Sequence, residues 1–197
     1  MDKPIKLPIY KIKINADDAD ESGVSYVALV DSPAIERTWM AYNKHLRFQA
    51  DAERRIITGA LMIADLPIYR RSESMGEFYV VFDKQEIEKI VQKFFRHSNT
   101  GNVNMMHSSE AKVNGVYMFE SFIVDSSRGI KSPDGLNGIT EGSWIGSYKV
   151  DNEEVWNNFI KTNEFTGFSV EGLFDMDLQS KTIEQEIVDI IEEIAQM

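Results

Sequence analysis

Cysteine is absent from the 197-residue sequence. That removes disulfide frameworks, thiolate zinc sites and cysteine nucleophiles at once, and it fits a reducing compartment. Histidine is scarce: His45, His97 and His107 are the whole supply. With no His-x-x-x-His spacing among them, a metal-dependent hydrolase is poorly provided with ligands, and no metal or cofactor is expected. Basic residues are also short, 21 Lys and Arg against 32 Asp and Glu, for a net charge of -11. Phosphate-tracking surfaces are built from clustered Lys and Arg, so no nucleic-acid partner is expected. Long apolar runs are missing as well. Met1-Asp2-Lys3-Pro4-Ile5 opens no signal-peptide core, and no stretch approaches a membrane span. The expectation is a soluble, unsecreted chain with no membrane partner.

What is present is enough to fold. At 43% hydrophobic and 11% aromatic the chain can bury a real core, and its length fits one domain with appendages. Period-two alternation over Ile5 to Ile14, with a break at Pro8, predicts a first strand. Val24 to Val30 is a second, ended by Asp31-Ser32-Pro33. Residues 35–52 show no clean period. Arg55 to Tyr69 reads as a buried strand broken near Asp65-Leu66-Pro67, and Glu77 to Phe82 as another strand. Asp83 then caps a helix, with Glu86 placed to complete a capping box. Ile87, Ile90, Val91 and Phe94 form that helix's apolar stripe.

Further on, Val116 to Val124 alternates so that Val116, Met118, Glu120, Phe122 and Val124 share a face. Ser126 to Gly142 is a Gly- and Ser-rich loop. Trp144 to Val150 is a strand, and a helix starts at Asp151 or Asn152. The tail differs in character: Ile183, Ile187, Ile190, Ile194 and Met197 step by four and three like a heptad seam. We therefore divide the chain at residue 178, with 1–178 as the main domain and 179–197 as a C-terminal acidic amphipathic helix or linker.

The chemistry narrows to few side chains. His45 reads as exposed surface and His97 as a helix-terminal cap. His107 ends the stretch Val103-Asn104-Met105-Met106 at a polar loop, where catalytic bases commonly sit. Ser169 lies in Gly167-Phe168-Ser169-Val170-Glu171-Gly172, which misses the Gly-x-Ser-x-Gly elbow by one residue and follows a helix, so an α/β-hydrolase is a poor fit. A serine nucleophile needs a base within hydrogen-bond reach and a third group to orient that base. Glu120 is the candidate third group, if the Val116 to Val124 strand forms a hairpin with the segment before His107. Its position among Met118, Phe119 and Phe122 implies a partner. Asp125 is the alternative, although it also reads as a turn starter.

Several segments then line up together: Val27-Ala28-Leu29-Val30-Asp31-Ser32-Pro33-Ala34, Met106-His107-Ser108, Phe119-Glu120-Ser121-Phe122-Ile123-Val124-Asp125, Gly142-Ser143-Trp144-Ile145-Gly146 and Thr166-Gly167-Phe168-Ser169-Val170-Glu171-Gly172. In this order they resemble the serine protease family of phage head-assembly modules, a branch of the prohead proteases, which are similar in fold to herpesvirus assembly proteases. The resemblance implies an α+β fold, a mainly antiparallel β-barrel surrounded by helices. It implies Ser169 as nucleophile and His107 as base. Herpesvirus relatives use a second histidine after the serine; none follows Ser169 here, which favours a carboxylate, Glu120. The implied substrates are scaffold and major capsid proteins, and the protease's own termini, inside the assembling prohead in the host cytoplasm. A homo-oligomer is compatible with the resemblance. The alternative is a catalytically inactive structural protein of the same fold, associated with capsid or scaffold.

Overall fold

The computed structural model describes residues 7–17, 19–31, 47–108, 112–136 and 138–178. His45, the Ser32-Pro33-Ala34 end of the early motif and the tail from 179 lie outside these residues. The described part contains eleven strands: β1 (Ile9–Lys13), β2 (Gly23–Val30), β3 (Gln49–Asp51), β4 (Ile56–Met62), β5 (Ile68–Ser72), β6 (Gly76–Val81), β7 (Val103–Met105), β8 (Val116–Ile123), β9 (Trp144–Val150), β10 (Gly167–Leu173) and β11 (Asp175–Leu178). One full helix, α1 (Lys84–Arg96), joins β6 to β7. A short helix, α2 (Glu153–Val155), runs on through Trp156–Ile160 as a wider π turn, capped by Asn152 at the amide of Val155.

The strands form three sheets in the orders β11-β1-β6-β5, β10-β2-β7 and β3-β4-β9-β8. The protein is therefore mostly β-sheet with few helices, compatible with α+β, but the expected closed barrel is not formed among the described residues. Two pairings are parallel, β1 with β6 and β2 with β7. Parallel neighbours need a long crossover between them; β2 to β5 lie between β1 and β6, and α1 is part of the connection from β2 to β7. The sheets meet through one core that includes Val27, Leu29, Ile57, Phe94, Trp144, Tyr148 and Phe168, all at most 2% exposed.

Helix α1 follows its sequence pattern. Ile87, Ile90, Val91 and Phe94 face the core, each burial contributing about 1.5–3 kcal/mol for a side chain of this size. Asp83 Oδ1 accepts from the Glu86 amide at 2.9 Å, as a cap should. The second half of the capping box is not made. Glu86 turns into the protein, where Oε1 accepts from the Ile14 amide at 2.6 Å and Oε2 from Lys89 at 3.0 Å. Lys93, only 3% exposed, donates to the Asn15 carbonyl at 2.8 Å. Two buried charged side chains thus clamp the helix to the end of β1.

Strand β8 departs from the predicted alternation for a local reason. Its register against β9 shifts between Met118 and Glu120, leaving Phe119 as a bulge that is 52% exposed. One extra residue inverts the phase of everything after it. Val116 and Met118 face the main core, whereas Glu120 is exposed and Phe122 joins a smaller cluster with Ala60, Ile63, Val124, Leu136 and Ile145.

The Glu86 contact gives a stability prediction. Glu86→Ala leaves the Ile14 amide without its acceptor and should cost about 1–3 kcal/mol. A urea melt of the two proteins measures it, and a midpoint equal to that of the wild type would remove Glu86 from the clamp.

Candidate active site

The three-stranded sheet is where the candidate residues meet. Strand β2 lies in the centre, with β10 antiparallel on one side and β7 parallel on the other. Ser169 on β10 is in register with Ala28, and Ala28 with Asn104 on β7. Register partners share a face, and so do residues two apart on a strand. Ser169, Glu171, Ala28 and Asn104 therefore point to one side, while Phe168, Val27, Leu29 and Val103 point into the core. Ala28 places only a methyl group between the two polar strands.

Strand β7 ends at Met105, and the chain reverses through Met106 and His107. Both have left-handed backbones, with φ of 51° and 60°, and the Ser108 amide donates to the Met105 carbonyl at 3.0 Å. Positive φ at both central residues with that closing bond is a type I′ turn. Neither residue is glycine, so each carries strain of about 1–3 kcal/mol. The turn folds the imidazole back over the sheet. There His107 Nδ1 meets Glu171 Oε1 at 3.0 Å, and Asn104 Nδ2 donates to the same oxygen at 2.7 Å. A carboxylate oxygen only accepts, so Nδ1 carries the proton and a neutral ring has its lone pair on Nε2.

The carboxylate that touches His107 is thus Glu171, two residues beyond Ser169, whereas Glu120 has other partners. After the His107 turn the chain returns against β7 only at Lys112 and Val113, and β8 itself pairs with β9, so the pairing does not extend to Glu120. Glu120 instead accepts from Ser147 Oγ at 2.7 Å, and Ser147 lies 2.9 Å from Thr58 Oγ1, in a polar row across β4, β9 and β8. Asp125 is the turn starter. It caps Ser126–Arg128, and the Ser127 hydroxyl and then the Arg128 guanidinium hold its carboxyl down at about 2. His97 is the C-cap of α1. Glu171 had a readable signal, since a strand serine and the residue two positions on share a face. Asn104 had none, being one polar residue in an apolar run.

Ser169 is 7% exposed and lines a cleft of about 610 Å³. Every residue from Phe168 to Phe174 lines it. A strand that presents consecutive residues, from both faces, presents its edge. Among the described residues β10 pairs only with β2, so that edge is open. The opposite wall includes Ile12, Phe78, Val80 and Phe82, so the cleft is largely apolar. Among the described residues the Ser169 hydroxyl makes no hydrogen bond to His107, and the Ser126 to Gly142 loop does not reach the cleft. Nor does any group of three or more His, Asp or Glu side chains there form a metal site.

Two outcomes follow. With a fluorophosphonate probe, which forms a phosphonate ester with an activated serine as fluoride leaves, Glu171→Gln should slow labelling of Ser169 by ~10²–10⁴-fold, by removing the group that holds the imidazole, whereas Glu120→Gln should leave the rate within about twofold. Slowing by Glu120→Gln alone, with Glu171→Gln at the wild-type rate, would return the role to Glu120. For Asp125, a carboxyl held below its ordinary 3.8 supports the turn above that value and loses it as the pH falls through about 2. Carboxyl NMR of Asp125 checks this, and a midpoint near 3.8 would contradict the capped turn.

Neither a curated protein nor a solved structure matches the chain. A family described as "Putative phage serine protease XkdF" matches residues 45–177, more than half of the sequence and including His107, Ser169 and Glu171. The chain belongs to this phage serine protease family.

Proposed function

We propose that the chain is a serine endopeptidase of phage head assembly, with Ser169 as nucleophile, His107 as general base and Glu171 as the group that orients the base. The observation that carries the reading is the contact of His107 Nδ1 with Glu171 on the sheet face that also holds Ser169. Its order of roles is that of a serine protease triad. Ser169 Oγ attacks the peptide carbonyl as Nε2 of His107 takes its proton. The C–N bond then breaks, the proton passes to the leaving amine, and water resolves the acyl ester through the same base. The oxyanion that forms on attack calls for two backbone amide donors. The missing Ser169–His107 bond fits an unliganded site, where catalytic hydrogen bonds are often long until substrate binds.

The open edge of β10 supports a polypeptide substrate. An extended peptide laid along it would gain main-chain hydrogen bonds and place alternate side chains in the apolar cleft. In this reading the substrates are scaffold and major capsid proteins, and the chain's own termini, cut within the assembling prohead in the host cytoplasm. A homo-oligomer would be compatible with that setting.

Intact mass over time tests the proposal, for the chain alone and mixed with its scaffold, beside Ser169→Ala. Fragments are expected with Ser169 present and at least ~10⁴-fold more slowly in the variant. Stable masses in both, with scaffold intact even inside assembled heads, would favour an inactive structural member of the family.

A further inference from the structure

Asn104 is 1% exposed and sits on β7 in register with Ala28. Its side-chain nitrogen donates to Glu171 Oε1, the oxygen that also meets His107. Its side-chain oxygen is buried and makes no hydrogen bond, one of two such atoms among the described residues, the other being the Tyr148 hydroxyl. An orphaned buried acceptor lowers stability, and an apolar residue of similar size would remove that cost. The side chain cannot rotate to relieve it, because a carboxylate accepts only from the nitrogen end. One end of the amide is committed to Glu171 and the other to nothing. That asymmetry marks a residue kept for the carboxylate rather than for the fold.

We propose that Asn104 is a positioning residue of this site: it fixes the Glu171 carboxylate against Nδ1 of His107, and so fixes the imidazole tautomer that leaves Nε2 free to take the Ser169 proton. This rests on the Ser169–His107–Glu171 reading and deepens it. A glutamate has three side-chain torsions and, at Glu171, a partly exposed head. Alone it holds an imidazole loosely. Asn104 projects from a buried strand with two torsions, and its amide selects one carboxylate oxygen in one place. With that oxygen fixed, the Nδ1–H tautomer has a constant acceptor. Without it, the ring is free to carry its proton on Nε2, which would present Ser169 with a donor in place of a base.

The test is Asn104→Leu, which removes the donor and the orphaned acceptor together. The variant should melt no lower than wild type, yet label Ser169 with a fluorophosphonate about 10–100-fold more slowly, the size of loss seen when the outer partner of a metal-ligating residue is removed. ¹⁵N shifts of His107 should move from a dominant Nδ1–H tautomer to a mixture. Should Asn104→Leu fail to fold, Asn104→Asp keeps the shape and replaces the donor by a second carboxylate, and the same tautomer change is expected. A folded variant with wild-type tautomer and rate would overturn the proposal. Wild-type protein that the probe never labels would defeat the protease reading instead, while the His107 tautomer would still decide the role of Asn104.

Discussion

The site depends on the register of β10 against β2. Strand β2 is buried along most of its length and has neighbours of opposite sense on its two sides. A one-residue slip of β10 would turn Ser169 and Glu171 into the core and Phe168 out of it. Two features hold the register. Phe168 packs against Phe48 and Tyr148, with ring centroids 5.4 and 5.0 Å away, so its burial opposes a slip. Gly172 lies against Gly23 so closely that a Cβ there would stand 1.8 Å from the Gly23 carbonyl oxygen. No other residue fits that position. The bulge between Glu171 and Gly172 is placed where the strand leaves the row that holds Ser169 and Glu171.

The elements with strong local signals were legible in the sequence. The α1 stripe, its Asp83 cap and the strands at Val24, Glu77 and Trp144 all have short-range causes: period, capping chemistry and β-branched runs. His107 could be singled out as a strand-end imidazole in a chain with three histidines, whereas Ser169, one of several strand serines, needed the family resemblance. Their placement on one sheet face was not legible from spacing alone. It depends on β2, which is distant from both in sequence, and on parallel pairing that no local pattern announces.

The misreadings share one physical origin. Glu86 fits a capping box by spacing, yet a buried backbone amide at Ile14 has the stronger claim on its carboxylate. Glu120 fits a core-facing alternation, yet the bulge at Phe119 moves it to the outer face and gives it to Ser147. In each case a longer-range hydrogen bond or register shift overrode a local rule. The closed barrel failed for the same reason, since sheet closure is decided by edges, and the edge of β10 faces a cleft.

The mixed sheet also governs when this chemistry can exist. Asn104 and Glu171 are 67 residues apart, and the strand between them in space precedes both in sequence. No hairpin or single supersecondary unit contains Ser169, Glu171, Asn104 and His107 together. Such non-local pairings form late and cooperatively, because chain closure precedes any gain from contact. A nascent or half-folded chain therefore holds a serine and an imidazole with no geometry between them. Under the proposed protease function, completion of the topology would itself be a safeguard against premature cleavage.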